Sequence, residues 1–369
     1  MHRIALLLAA LVAALMLSGA ATAASVTTVM TGLDNPRGLA FSPEGTLYVT
    51  EGGRGGSGPP CRTVRGMPQC YGPTGAISRL RRGVQEKWLT GLPSLAPASG
   101  LEAETGPQDI AFQGGVAFVT MGFGGTPAER ALLGPQFALS GKLLQVGASG
   151  EIKEIADLSS HEAAANPDGG EIFSNPFGVL ALPDRQIVAD AGANAVLTVA
   201  ANGAVSTLAA FASRQNPTPI GPPVVDSVPT AIALGPDGAL YVSELTGVPF
   251  LTGFARIHRI APDGARSVYA TGLTAVVDLA FGDDGSLYAL QHASCGPFFA
   301  CPGSIVRVGA SAPHAVVYAG LSRPSAFTIG PEGSRARRSR AGRSLTHGAF
   351  YVSNQGSSAA VGEVLRIEP

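Results

Sequence analysis

One phrase recurs six times along this chain, and it restricts the possible folds more than any other feature. The phrase is Pro-x-small, three apolar residues, a turn, then Leu-Tyr-Val, a hydroxyl residue and an acid. It stands as PRGLAFSPEGTLYVTE from Pro36, PQDIAFQGGVAFVTM from Pro107 and PFGVLALPDRQIVAD from Pro176. It returns as PTAIALGPDGALYVSE from Pro229, VVDLAFGDDGSLYALQ from Val276, and PSAFTIGPEG from Pro324, resumed at AFYVSN from Ala349. With Leu39, Ile110, Val179, Ile232, Leu279 and Phe327 as register marks, the spacings are 71, 69, 53, 47 and 48. The shorter values approach the period of a four-stranded propeller blade. The two longer ones imply insertions in loops.

Each unit continues alike. A third strand is expected at 76–80, 142–146, 195–199, 256–260, 304–308 and 363–367, and a fourth follows in the first five units. Asp263-Gly264 and Asn202-Gly203 sit between third and fourth strands and supply the positive φ that a tight hairpin requires. The sixth unit stops after its third strand. Val26-Thr27-Thr28-Val29-Met30, followed by Thr31-Gly32-Leu33, matches Val268-Tyr269-Ala270 followed by Thr271-Gly272-Leu273. The expected fold is therefore all-β: a six-bladed β-propeller whose N-terminal strand completes the last blade. Closure of this kind removes exposed sheet edges. Composition agrees, because glycine (49) and proline (28) both interrupt helices. A net charge of -1 gives no reason to expect nucleic acid as a partner.

Residues 1–23 read as a secretory signal peptide, with His2 and Arg3 before an apolar run from Ile4 to Leu17 and a small-x-small cleavage site at Ala21-Thr22-Ala23. Residues 24–369 are then one exported propeller domain with no transmembrane segment. Four cysteines suit an oxidising compartment. Their short separations favour Cys61–Cys70 and Cys295–Cys301 among three connectivities. A four-cysteine zinc site is the alternative, although no C-x-x-C spacing occurs.

In such a ring, starts of first strands and ends of second strands meet at one mouth of the channel. The second-strand ends are Glu51, Met121, Asp190, Glu244, Gln291 and Asn354. Asn35 and Asn175 enter from the preceding loops, and Asp109 and Asp278 stand opposite each other on blades two and five. Two readings follow. One is an oxygen-rich mouth that binds a small molecule, glycan or protein, or holds Ca²⁺ through Glu51, Asp190 and Glu244. The other is a polar collar that satisfies backbone groups at the blade ends. His292 is the histidine expected nearest the mouth, as a possible general base or a solvated loop residue. Arg335, Arg337, Arg338, Arg340 and Arg343 form a basic insertion in the first hairpin of blade six, expected on the opposite face. The run Gly52-Gly53-Arg54-Gly55-Gly56 precedes Pro59-Pro60-Cys61 and no helix, so it is not a nucleotide loop.

The phrases Leu33-Asp34-Asn35-Pro36-Arg37-Gly38-Leu39-Ala40-Phe41 and Leu47-Tyr48-Val49-Thr50-Glu51 resemble the exported ScyD/ScyE propeller family, which is related to NHL-repeat propellers. Asn175-Pro176-Phe177-Gly178 and Tyr351-Val352-Ser353-Asn354 extend the resemblance over nearly the whole mature chain. It implies a secreted propeller and carries no established reaction to any residue. Gluconolactonase-like propellers place a metal-binding Asn or Asp between the Pro and Gly of the first-strand phrase. Here that slot holds Arg37, Gln108, Phe177, Thr230, Val277 and Ser325. Quinone-dependent sugar dehydrogenases share the Asn35–Phe41 opening but use an Arg-Asn-x-Gln-Gly context that this chain lacks. The expected role is a binding module with its ligand at the mouth. A metal-dependent, lactonase-like hydrolase or a quinone-dependent sugar dehydrogenase is the alternative.

Overall fold

A strand buried on both faces needs apolar or small residues at nearly every position. The second strands meet that demand: Leu47–Glu51, Leu240–Glu244 and Leu287–Gln291 are buried at every residue. The fourth strands face solvent and alternate less; Arg266–Leu273 is exposed over its first four residues. The computed structural model describes residues 24–64, 67–97, 103, 105–330 and 348–368. The proposed signal peptide and the Arg335–Arg343 insertion lie outside the described residues.

Among the described residues the strands form six antiparallel sheets arranged as a β-propeller, and a two-stranded ribbon of Arg214–Gln215 with Val224–Val225 between blades 3 and 4. Blade 1 uses Pro36–Phe41, Leu47–Glu51, Met67–Arg81 and Val84–Pro97. Blade 2 uses Gly106–Gln113, Val116–Gly122, Lys142–Val146 and Ile152–Asp157. Blade 3 uses Pro176–Ala181, Arg185–Asp190, Ala195–Ala200 and Val205–Ala210. Blade 4 uses Pro229–Leu234, Leu240–Glu244, Ala255–Ile260 and Arg266–Leu273. Blade 5 uses Val276–Phe281, Leu287–Gln291, Gly303–Arg307 and Ala315–Leu321. In blade 6, Ala326–Ile329, Phe350–Asn354 and Gly362–Glu368 are completed by Ser25–Leu33. The closing strand pairs from Ser25↔Glu368 to Leu33↔Gly362, so the expected closure is present.

Among the described residues, six apolar clusters lie between successive blades, and a seventh, Leu95, Phe123, Leu133 and Phe137, joins blade 1 to the blade 2 loop. The cluster between blades 6 and 1 joins Met30, Leu33 and Val364 to Leu39, Leu47 and Val49. The ring is thus sealed by side chains as well as by backbone pairing. Among the described residues, blade 1 departs furthest from the expected third-strand bounds. Its third strand begins at Met67, well before residue 76, and extends past the blade as a ribbon with Cys61–Val64. The glycine run lies flat against this extension. A Cβ on Gly56 would sit 1.9 Å from the Tyr71 carbonyl oxygen, and one on Gly72 would sit 2.0 Å from that of Gly55. Those glycines serve a close backbone crossing.

Candidate functional site

Strand register brings the predicted positions to one face. Pro36 pairs with Glu51, Pro176 with Asp190, Pro229 with Glu244 and Val276 with Gln291. Their side chains do not converge, however. The Glu51 carboxylate accepts bonds from Asp34 N (2.8 Å), Ser78 Oγ (2.6 Å) and Lys87 Nζ (2.6 Å). Asp190 accepts from Ser174 Oγ (2.6 Å) and from the N–H groups of Asn175, Gly192 and Ala193. Burial holds the Asp190 carboxyl above its ordinary range, against the pull of those donors. Gln291 and Asn354 repeat the pattern, with their side-chain oxygens accepting from Thr274 N and Ser322 N.

The strand-end oxygens of Glu51, Asp190, Glu244, Gln291 and Asn354 each accept from the entry loop of their own blade, while Met121 of blade 2 is apolar and buried. The asparagines act alike. Asn35 donates to the Gly53 carbonyl, and Asn175 Oδ1 accepts from Phe123 N. Among the described residues, no three His, Cys, Asp or Glu side chains are grouped to hold a metal ion. Glu51, Asp190 and Glu244 stand in three different blades, and each carboxylate has its own donors.

The axis is narrow. Arg37, Gln108, Phe177 and Thr230, with Asp109 and Asp278, surround a space of about 10 Å³. That is close to the room one water needs. Both aspartates stitch neighbouring inner strands. Asp109 Oδ2 accepts from Val179 N (2.8 Å) in blade 3, and Asp278 Oδ2 accepts from Phe327 N (2.8 Å) in blade 6. Burial raises the Asp109 pKa to about 6. Burial, with Asp109 as a like charge, raises Asp278 well above the ordinary range. Hydroxyls do the same work elsewhere in the ring. Thr50 Oγ1 reaches Gln108 O (3.0 Å), Thr230 Oγ1 reaches Val276 O (2.8 Å), and Ser325 Oγ reaches Pro36 O (2.6 Å).

The loops around this closed axis carry the accessible chemistry. Both local disulfides, Cys61–Cys70 and Cys295–Cys301, are formed. The first braces the blade 1 ribbon, from which Arg62 reaches the Phe123 carbonyl (2.5 Å) and lies over the Phe123 ring. The second braces a loop in which Phe299 stacks on Phe250 at 4.1 Å, under Arg323. His292 Nδ1 lies 2.9 Å from the Pro324 carbonyl and its ring abuts Phe299. It packs in this loop instead of standing free in solvent.

No protein-family model matches the chain, and no curated protein matches it in sequence. Solved structures do match in fold. A gluconolactonase from Xanthomonas campestris aligns with a TM-score of 0.53 at 12% identity, over 94% of this chain and 90% of that one. The PQQ-bound aldose sugar dehydrogenase from Streptomyces coelicolor gives 0.52 at 14%, over 94% and 98%. A streptogramin B lyase gives 0.50 at 13%, over 94% and 98%. At these identities the likeness is one of fold, and the fold is the β-propeller.

Sequence reasoning missed one constellation. Glu244 points away from the axis, toward blade 3, where it meets Arg214 Nη2 (2.6 Å) and His258 Nε2 (2.8 Å). Arg214 stacks over Phe254 at 4.0 Å, and Phe211 lies against the His258 ring. The available signal was the strand Ala255–Ile260, in which Arg256 and His258 occupy the alternate, half-buried positions.

Proposed function

We propose that this chain is a secreted, ScyD/ScyE-like propeller that acts as a binding module, with its ligand held on the loop face around the channel mouth. One observation carries the reading. Among the described residues, eight of the sixteen exposed large apolar side chains lie in mouth-face connections: Leu132, Ile172, Phe173, Ile220, Val224, Val248, Phe298 and Val361. Val84, Ile152 and Leu234 stand at the opposite end of their blades, at the start of a fourth strand or the end of a first. Apolar side chains gathered on one face mark an interaction surface. Loops tied by disulfides lose little further freedom when they bind. The closed axis and the occupied strand-end carboxylates also direct a ligand to the loops. Apolar side chains favour a protein or an aromatic small molecule over a bare glycan. Two disulfides fit export, with secretion itself part of the proposal. No helix among the described residues is long and apolar enough to cross a membrane.

Extraction of small molecules from the purified secreted protein, with a parallel screen against glycan and peptide arrays, tests the reading. The expected result is a ligand recovered chemically unchanged and weakened at least tenfold by Phe298→Ala. Turnover of a lactone or quinone-linked oxidation of a sugar would replace this reading with the enzymatic alternative.

A further inference from the structure

The crevice between blades 3 and 4 holds a cavity of about 490 Å³, away from the axis. Arg214, Arg256, Arg266, His258 and Phe211 line it, with Glu244 at its floor. The volume falls in the range of small-molecule sites, roughly 300–1,000 Å³.

The floor carboxylate is already satisfied. Besides Arg214 and His258, Glu244 accepts from Ser227 Oγ (3.1 Å) and Arg256 N (3.1 Å). It has little capacity left for the other arginines. Among the described residues the Arg256 guanidinium has no hydrogen bond or ion pair. Arg266 gives one bond, from Nη1 to the Ala210 carbonyl (3.2 Å). Arg214 Nε is buried without a partner. Burial lowers the Arg214 pKa; Glu244 opposes this and Arg256 adds to it, which places Arg214 and Arg256 within repelling distance. Three guanidinium groups thus face one cavity with a single, saturated carboxylate among them.

We propose that this cavity binds a small organic oxyanion, carrying a carboxylate or a phosphate, gripped by Arg256 and Arg266, with the Arg214 charge behind them. Guanidinium forks recognise both groups through paired, charge-assisted bonds. The Phe211 ring and the edge of His258 supply a flat wall for the organic body. One wall of the cavity, Phe211–Arg214, belongs to the connection that also carries Ile220 and Val224, whereas Phe298 lies in a different loop, after the second strand of blade 5.

Calorimetric titration with sodium phosphate and with sodium malonate, in a low-salt buffer free of other multivalent anions, tests the proposal. One saturable anion per chain is expected. Arg256→Ala and Arg266→Ala should each weaken it about tenfold or more, the scale of one charge-assisted bond. Both side chains reach solvent, so the melting temperature should stay within a few degrees of wild type. Arg185→Ala, on an exposed hairpin of blade 3, should leave affinity unchanged. A preference for phosphate assigns a phosphate ester, and a preference for malonate a carboxylate. Absence of binding by both anions overturns the proposal. So does binding that survives both cavity variants, or that falls with Phe298→Ala instead.

Discussion

At the scale of single residues, the carboxylates of this ring are structural devices with measurable titrations. A carboxyl whose folded-state pKa exceeds its unfolded value binds its proton more tightly in the fold. Its stabilising share is therefore full below about pH 4 and is lost as pH rises through about 6 for Asp109. A rise of roughly two pH units corresponds to about 3 kcal/mol. Asp109→Asn should gain stability relative to wild type as pH rises from 4 to 7, because the wild-type penalty is absent. The same variant should let the Asp278 pKa fall, since Asp109 helps to hold it up. Thermal melts across that range, and a carboxyl titration followed by NMR, measure both effects. A difference between the two proteins that is flat with pH would refute the assignment. Glu51→Ala is a second test at this scale. It leaves Asp34 N without its buried acceptor and should cost about 2 kcal/mol. With Glu51, Asp190 and Glu244 each latched in its own blade, millimolar Ca²⁺ should not move the melting temperature of EDTA-stripped protein. An upward shift that Glu51→Gln abolishes would restore the shared-cation reading.

Elements show where the sequence was legible and where it was not. The Leu-Tyr-Val strands were readable because burial on both faces imposes one composition on every blade. The positions of the strand-end acids were readable for the same reason, since each repeat solves the same local problem. Their partners were not, because partners come from distant segments: Lys87 lies 36 residues from Glu51, and Arg214 lies 30 from Glu244. Nor does the repeat reveal how closely inner strands approach. Ala231 and Ala326 occupy the slot that Gly38 holds in blade 1, so alanine looks harmless there. A Cβ on Gly38 would nevertheless lie 2.5 Å from the Asp109 Cα and 2.2 Å from its Oδ1. Backbone cannot give way as a flexible side chain can, so Gly38→Ala should destabilise by about 3 kcal/mol. Denaturant unfolding measures this, with Gly83→Ala, in an open turn with positive φ, as a milder comparison.

For the whole molecule, the decisive element is Ser25–Leu33. Deleting Val26–Met30 strips the outer edge from blade 6 and removes Met30 from the seal with blade 1. The deleted chain should lose its single cooperative melting transition and expose apolar surface to a hydrophobic dye. An unchanged transition would show that the ring holds without its clasp. The clasp also sets a timetable. Ser25 bonds Glu368 across a sequence separation of 343 residues. At ordinary synthesis rates, of order ten residues per second, the first partner waits on the order of tens of seconds for the second. Until then the strand has no sheet to join, and blade 6 stays open. A copy that lacks Gly362–Glu368 would keep two raw edges, one on Ser25–Leu33 and one on Phe350–Asn354.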